Sequence, residues 1–181
     1  PSVIYGLLGI YLLNPLMYKL ERLIFQGSTT HQFTGGANLL SAVIVLAIMI
    51  LPTVINISET SIRAVPAGIK SSSLALGASH VQTIFRSILP AAKSGILAGV
   101  ILGVGRAIGE TMAVIMVAGN QARMPKGILQ GVRTMTANIV LEMGYATDLH
   151  REALIATAVV LFVFILIINL SFSIISRKAN A

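Results

Sequence analysis

Residues 153–176 read ALIATAVVLFVFILIINLSFSIIS, an apolar run that contains no charged side chain. A helix of about 20 such residues crosses about 30 Å of hydrocarbon, because each residue rises about 1.5 Å. The stretches 2–18, 39–57 and 95–119 are also long and apolar enough, although the last contains two charges. Lipid offers the backbone no hydrogen-bond partner, so each stretch is predicted to be an α-helix. The sequence therefore predicts an all-α, polytopic transmembrane helix bundle with four spans.

The composition is typical of a membrane protein rather than a water-soluble one. Of the 181 residues, 55% are hydrophobic and 10% are charged, whereas soluble domains carry about 25% charged residues. The net charge of +7 is spread between apolar stretches, which argues against a nucleic-acid partner. The absence of cysteine excludes a disulfide scaffold and a thiolate metal site. Because the chain begins with Pro1 and Ser2 rather than with Met, we expect it to be a piece of a longer polypeptide. The lack of a basic stretch before a cleavage site argues against a signal peptide.

Basic residues concentrate in two connections that must lie on one side of the membrane. The 58–94 connection joins the second and third spans, and the C-terminal tail follows two crossings later. The positive-inside rule places both in the cytoplasm and leaves residues 120–152 as an external segment. The sequence thus predicts a multi-pass membrane protein with a cytoplasmic C-terminus. The basic residues concerned are Arg63, Lys70, Arg86, Lys93, Arg177 and Lys178.

The 58–94 connection carries the start and stop signals of a helix. Pro66 suits a first helical position, where its missing N–H removes no hydrogen bond. A helix is predicted over 67–76, and Gly77 can adopt the left-handed conformation that ends it. The connection is therefore predicted to be structured rather than a passive turn.

A second short helix is predicted to follow in the same connection. Ser79, with Gln82 three residues later, forms a capping-box pattern. The helix would end at Leu89 and Pro90. Two readings of the resulting hairpin are equally supported: it inserts into a groove on a partner protein, or it lies on the lipid headgroups. Its apolar stripe consists of Val81, Ile84, Phe85 and Ile88.

The third span combines small residues with two charges. Gly95, Gly99 and Gly103 form a row that allows another helix to approach closely. Arg106 and Glu110 are four residues apart, which would place them on one face of a continuous helix. Placing each charge at the bilayer centre costs about 2.5–3.5 kcal/mol of insertion free energy. The attraction within an ion pair at this spacing stabilises a helix by only about 0.3–0.5 kcal/mol. We therefore expect both to face protein or a water-filled path, where a guanidinium suits an oxyanion. The alternative is a structural salt bridge between helices.

The 58–94 connection resembles the EAA loop of ABC-importer permeases. In that pattern E-A-A is followed by three residues, Gly, nine residues and I-x-L-P, and this chain keeps the Gly and the Leu-Pro at the same spacing. It departs at Ser71, which replaces the usual Glu, at the two alanine positions, and at Ser87, which replaces the Ile. The resemblance implies a loop that couples the permease to a separate ATPase. The coupling residues it implies are Ser71, Ser72, Ser73, Leu74, Gly77, Ala78, Leu89 and Pro90.

The string GVGRAIGETMAV, residues 103–114, is similar to the fifth span of the phosphate ABC transporter permeases. Residues 133–137 and 141–144 are similar to the PstC-type subunit of that family rather than to its PstA-type partner. The resemblance covers nearly the whole chain, as spans three to six of a type I ABC importer permease fold. It places four residues in the substrate path, namely Gly103, Arg106, Glu110 and Thr111.

The same resemblance implies a set of partners in a prokaryotic inner membrane. These are a second permease of the PstA type, two ATP-binding subunits and an external phosphate-binding protein. The chain lacks a G-x-x-x-x-G-K-[ST] motif, so ATP and Mg²⁺ would be bound by the partner ATPase and this chain would hold no cofactor. We expect no catalytic residue in it. Two alternatives remain: a permease for another oxyanion such as sulfate or molybdate, and an intramembrane enzyme that uses Glu110 as a base.

The external segment contains one amphipathic stretch. Apolar residues recur at spacings of three and four over 128–143, which predicts a helix on the outer face. A binding protein could dock there, or the helix could pack over the mouth of the bundle. Three histidines lie far apart without ligand spacing, so no metal site is expected. They are His31, His80 and His150.

Overall fold

The computed structural model describes residues 2–27 and 32–179, and within these ranges the fold consists of α-helices without a β-strand. Two π-helical turns, Gly9–Leu13 and Ile84–Ile88, join successive helices. The all-α class predicted from the sequence is confirmed. In chain order the helices are α1 (Ser2–Leu8), α2 (Asn14–Ile24), α3 (Leu39–Arg63), α4 (Ala67–Ala75), α5 (His80–Thr83), α6 (Leu89–Ile108), α7 (Met112–Val117), α8 (Met135–Glu142) and α9 (Asp148–Ala179).

Four apolar helical stretches within the described ranges are long enough to cross a membrane, as the sequence predicted. The third begins well before the predicted residue 95 and ends before residue 119. The four stretches are Ser2–Ile24, Leu39–Arg63, His80–Ile108 and Asp148–Phe172.

The chain divides into two compact units. One contains the residues up to Met49 together with Ala107–Leu166, and the other contains Ile50–Arg106 together with the residues from Ile167 onward. Each unit is described separately below.

Two prolines, of which Pro90 was expected to end its helix, lie within helices that continue past them. Pro15 lies in α2 and Pro90 lies in α6, and each comes directly after a residue that donates its N–H to the carbonyl five positions earlier. Asn14 donates to Gly9 in the first case, and Leu89 donates to Ile84 in the second. The wider π turn moves aside the carbonyl with which the proline ring would clash, and the helix continues. The prediction that the hairpin's second helix stops at Pro90 is therefore wrong.

In the second unit, α6 packs closely on the C-terminal half of α3 through the predicted glycine row. A Cβ atom at Gly95 would lie 2.2 Å from the Oγ of Ser61. A Cβ at Gly103 would lie 2.7 Å from a methyl group of Val54. These distances leave no room for a side chain, so the small-residue row is confirmed as a helix-packing surface.

In the first unit, α1 packs on α7. Gly6 lies against Met116 and the backbone of Ala113, and Gly9 lies against Val117. One cluster of buried apolar residues in this unit comes from α3, α7 and the residue after α7. They are Ala42, Val45, Ala113, Val114, Val117 and Ala118.

The external segment is mostly loop, and its helix is shorter than predicted. Helix α8 begins only after Thr134, whose hydroxyl accepts a hydrogen bond from the N–H of Ala137 at 3.2 Å. The carbonyls of Ile128 and Gln130 instead accept the N–H groups of Leu40 and Leu39, both at 2.9 Å, at the start of α3. The prediction of one helix over 128–143 is wrong at its N-terminal half, because that part of the backbone caps another helix.

Candidate functional site

The third apolar stretch is broken between its two charged residues. Helix α6 ends at Ile108, and α7 begins at Met112. The predicted continuous helix over 95–119, with Arg106 and Glu110 on one face, is therefore wrong. The N–H of Glu110 bonds to the carbonyl of Ala107 at 3.2 Å in a tightened last turn.

Glu110 stabilises the start of α7. Its carboxylate accepts a hydrogen bond from the N–H of Ala113 at 3.2 Å, which satisfies one of the free donors of that helix terminus. The next residue, Thr111, donates its hydroxyl to the carbonyl of Gly109 at 3.3 Å. Both side chains are thus engaged with the backbone at the break, and this role was missed because the sequence pattern placed them within a helix.

Arg106 lies in the last turn of α6, and its side chain is exposed within the described part of the chain. Gly103, one turn earlier, is buried against Val54. The four residues assigned to a substrate path belong to different units: Gly103 and Arg106 to the second, Glu110 and Thr111 to the first. Their common role in a path stays a prediction.

The predicted helical hairpin of the 58–94 connection is confirmed in its local geometry. Helix α4 follows Pro66, and Gly77 has a φ of +85°, the left-handed conformation that favours glycine. The N–H of Ser79 donates to the side chain of Gln82 at 2.9 Å, and the N–H of Gln82 donates to the hydroxyl of Ser79 at 3.2 Å. Both halves of the capping box are present.

A cluster of three hydroxyl groups joins the two arms of the hairpin. The Oγ of Ser73 lies 3.0 Å from the Oγ1 of Thr83, and the hydroxyl of Ser87 donates to Ser73 at 3.4 Å. Thr83 is buried, with 1% of its surface exposed. Ser73 and Ser87 are two of the positions that depart from the EAA pattern, and the structure shows that these two departures meet. The spacing of Thr83 and Ser87 on one helical face was the signal that sequence reasoning overlooked.

The remaining coupling positions lie around the turn. The hydroxyl of Ser71 donates to the carbonyls of Gly68 and Ala67, at 3.1 and 3.2 Å, so it is bonded to its own helix. Ser72 is exposed, whereas Leu74 and Ala78 are half-buried. Leu89 and Pro90 begin α6 instead of ending the hairpin.

A polar cluster in the external segment was not identified from the sequence. The guanidinium of Arg133 donates to the carboxylate of Glu142 at 2.7 Å and to the carbonyl of Asn120 at 3.1 Å. The hydroxyl of Tyr145 donates to the other oxygen of that carboxylate, which also lies 3.7 Å from the Nε2 of His150. Arg133 and Glu142 are nine residues apart along the chain, so no helical spacing marked their ion pair. The cluster joins the loop at residue 120, α8 and the start of α9.

The contacts of Glu142 change its proton affinity. The hydrogen bond from Tyr145 is the largest influence and holds the pKa of Glu142 below its ordinary value. Burial opposes this shift, and the hydrogen bond and charge of Arg133 add to it. The same hydrogen bond raises the pKa of Tyr145.

Glu21 lies in α2 and is fully buried. Its carboxylate accepts the N–H of Thr34 at 3.0 Å.

The expectation that the histidines form no metal site stays a prediction, since His31 lies outside the described residues.

We predict that Glu142→Gln loosens the external cluster and removes its pH dependence. The wild-type pKa is lowered in the folded state, so the stabilisation is present above about pH 4.5 and is lost as the pH falls through the lowered pKa. Hydrogen exchange of the α8 amides, corrected for its intrinsic pH dependence, measures this change. In the wild type, protection should fall on acidification; in Glu142→Gln it should be low throughout. Equal, pH-independent protection in both proteins would contradict the assignment.

Comparisons with known proteins cover the whole chain. The family described as binding-protein-dependent transport system inner membrane component matches residues 1–181. The phosphate transport system permease protein PstC of Xylella fastidiosa (strain 9a5c) is 36% identical over 177 residues, which cover 90% of this chain and 53% of that protein. The probable ABC transporter permease protein YqgH of Bacillus subtilis (strain 168) is 37% identical over 175 residues, which cover 93% of this chain and 53% of YqgH.

A third relative gives a similar result. The PstC protein of Mesorhizobium japonicum is 36% identical over 178 residues, covering 93% of this chain and 54% of that protein. The chain thus spans about half the length of the curated relatives that it matches. No solved structure matches it.

Proposed function

The chain belongs to the family of binding-protein-dependent transport system inner membrane components, and on this premise we propose that it is the permease subunit of an ATP-driven importer of inorganic phosphate. Membership makes it an inner-membrane permease of an ABC importer. The assignment of phosphate as the substrate goes beyond membership of the family. It is supported by the names of two relatives, both PstC phosphate permeases, and by the string at residues 103–114.

The proposed complex contains this chain, a second permease of the PstA type, two ATP-binding subunits and an external phosphate-binding protein. The family description supports the binding protein and the inner membrane. The C-terminus and the 58–94 connection would lie in the cytoplasm, where the ATP-binding subunits are accessible.

The observation that carries the proposal is an exposed arginine in an apolar membrane helix. A lipid-facing guanidinium in mid-membrane is costly, so Arg106 should face a partner chain or hydrated space. Its fixed charge and planar set of donors match an oxyanion. Because one oxygen of Glu110 accepts the Ala113 N–H, this carboxylate would hold the helix break in place beside the path. That engagement also argues against a free catalytic base at Glu110.

The hairpin of α4 and α5 would transmit the ATPase motion. Closure of the ATP-binding subunits would move the hairpin and shift the permease between its outward and inward openings. The hydroxyl cluster supports this role because it fixes the two arms to each other, and the capping box fixes the start of α5. A rigid hairpin can pass on a displacement that a flexible loop would absorb.

We expect Arg106→Ala, in the full-length chain with its partner subunits, to reduce uptake of radiolabelled phosphate about tenfold or more. Such a factor corresponds to the loss of one charge-assisted hydrogen bond. Arg106→Lys keeps the charge but loses the planar donor set, so it should retain an intermediate rate.

Parallel assays with sulfate and molybdate determine which oxyanion is carried. Complex assembly, measured by co-purification, serves as the control. Unchanged phosphate uptake by an assembled Arg106→Ala complex would refute the substrate-path assignment.

We also expect Gly77→Val to uncouple ATP hydrolysis from uptake, because a β-branched residue is strained at a φ of +85°. Gly77→Asn is the matched control, since asparagine tolerates the left-handed conformation. The ratio of phosphate transported to ATP hydrolysed should fall in the valine variant and stay near the wild-type ratio in the asparagine variant. Identical ratios in all three proteins would remove the hairpin from the coupling mechanism.

A further inference from the structure

Asn169 places an amide in the most apolar of the four membrane-spanning stretches. It lies in α9 between Ile168 and Leu170, and its side chain is exposed within the described part of the chain. The amide forms no hydrogen bond with any described residue. An amide that faces hydrocarbon without a partner is costly, so we expect this side chain to face protein or water.

The amide lies against α6, at the residue before Arg106. The Oδ1 of Asn169 is 3.8 Å from the position that a Cβ atom of Gly105 would occupy. All three residues belong to the second unit. Because adjacent Cα atoms are about 3.8 Å apart, the amide is at the depth of Arg106, and the long arginine side chain can reach the same space.

The second unit supplies no acid to Arg106 at this depth. Its membrane-spanning parts, residues 50–58, 95–106 and 167–172, contain neither Asp nor Glu. Beside Gly105 the unit therefore presents a guanidinium and an amide, both of which carry N–H donors. Two sets of donors with one positive charge suit an anion rather than a cation.

We propose that the amide of Asn169 donates a hydrogen bond to the oxyanion that Arg106 holds, so that the two side chains form one binding site. The inference rests on the proposed function, since it adds a residue of α9 to a path that the sequence resemblance confined to residues 103–111. The amide adds a directed hydrogen bond without a second charge. The anion is thus oriented by the site and is still able to leave it.

The first test removes the amide from full-length permease that is purified with its partner subunits and reconstituted in vesicles. Asn169→Leu keeps a similar size but loses the donors, so uptake of radiolabelled inorganic phosphate should fall about tenfold. Asn169→Asp keeps the shape, pairs with Arg106 and repels the anion, so uptake should fall at least as far. Ser171→Ala is the matched control on the same helix. It should keep the wild-type rate, because the Ser171 hydroxyl donates to the carbonyl of Ile167 at 2.8 Å.

A double-mutant comparison separates contact with the anion from helix packing. If both side chains hold one anion, Asn169→Leu should reduce uptake by a smaller factor in the Arg106→Lys background than in the wild type. Reduction by the same factor in both backgrounds would show that the two side chains act independently, and would overturn the proposal.

A second pair of variants leaves Asn169 in place. Gly105→Ala adds a Cβ at an ordinary contact distance from the amide, whereas Gly105→Leu fills the space beside it. Uptake should stay near the wild-type rate in the alanine variant and fall in the leucine variant. Unchanged uptake by an assembled Gly105→Leu complex would contradict the proposed site.

The contrary outcomes are distinct. Wild-type uptake by an assembled Asn169→Leu complex overturns this inference, and the proposed function stands if Arg106→Ala still reduces uptake. If Asn169→Leu and Asn169→Asp both fail to co-purify with the second permease while Ser171→Ala does, the amide binds a neighbouring helix and the inference is overturned. A wild-type complex that takes up no phosphate overturns the proposed function and this inference with it.

Discussion

The need to satisfy every backbone polar group within lipid shapes this chain. A membrane interior supplies no water to a free N–H or carbonyl. Pro15 and Pro90 remove two donors from apolar helices, and in each case a π turn allows the helix to continue. Where the third apolar stretch does break, the N–H and the carboxylate of Glu110 bond to the surrounding backbone. The two π turns and the break thus keep local backbone hydrogen bonds.

This constraint connects the break to function. A break in an apolar helix is tolerated where the chain lines protein or water, and Arg106 lies one turn before it. The proposed path therefore rests on two independent features, an unwound backbone and an intramembrane charge, in the same short string. The cytoplasmic hairpin follows a similar principle, because its capping box and hydroxyl cluster satisfy its polar groups internally.

Sequence reasoning succeeded where the signal was local. The four apolar stretches, the left-handed Gly77 and the capping box at Ser79 all follow from spacings of a few residues, and the structure confirms them. It failed where a distant segment competes for the backbone. The period over 128–143 predicted a long helix, but the carbonyls of Ile128 and Gln130 cap α3 instead. The ion pair of Arg133 with Glu142 was missed for the same reason, since no local pattern joins the two.

The central claim is that Arg106 faces a water-filled path, and the accessibility of thiols placed along this stretch tests it directly. Residues 1–181 contain no cysteine, so single cysteines can be placed at 100, 106 and 110 in full-length permease freed of any other cysteine, and a charged, membrane-impermeant thiol reagent applied to membrane vesicles reports on water. Val100 is also exposed on α6 but lies on a different helical face from Arg106, so it is the control. The account predicts that positions 106 and 110 react, that phosphate delivered by the binding protein slows the reaction at 110, and that position 100 does not react. Unreactive thiols at 106 and 110, or equal reactivity at all three positions, would contradict it.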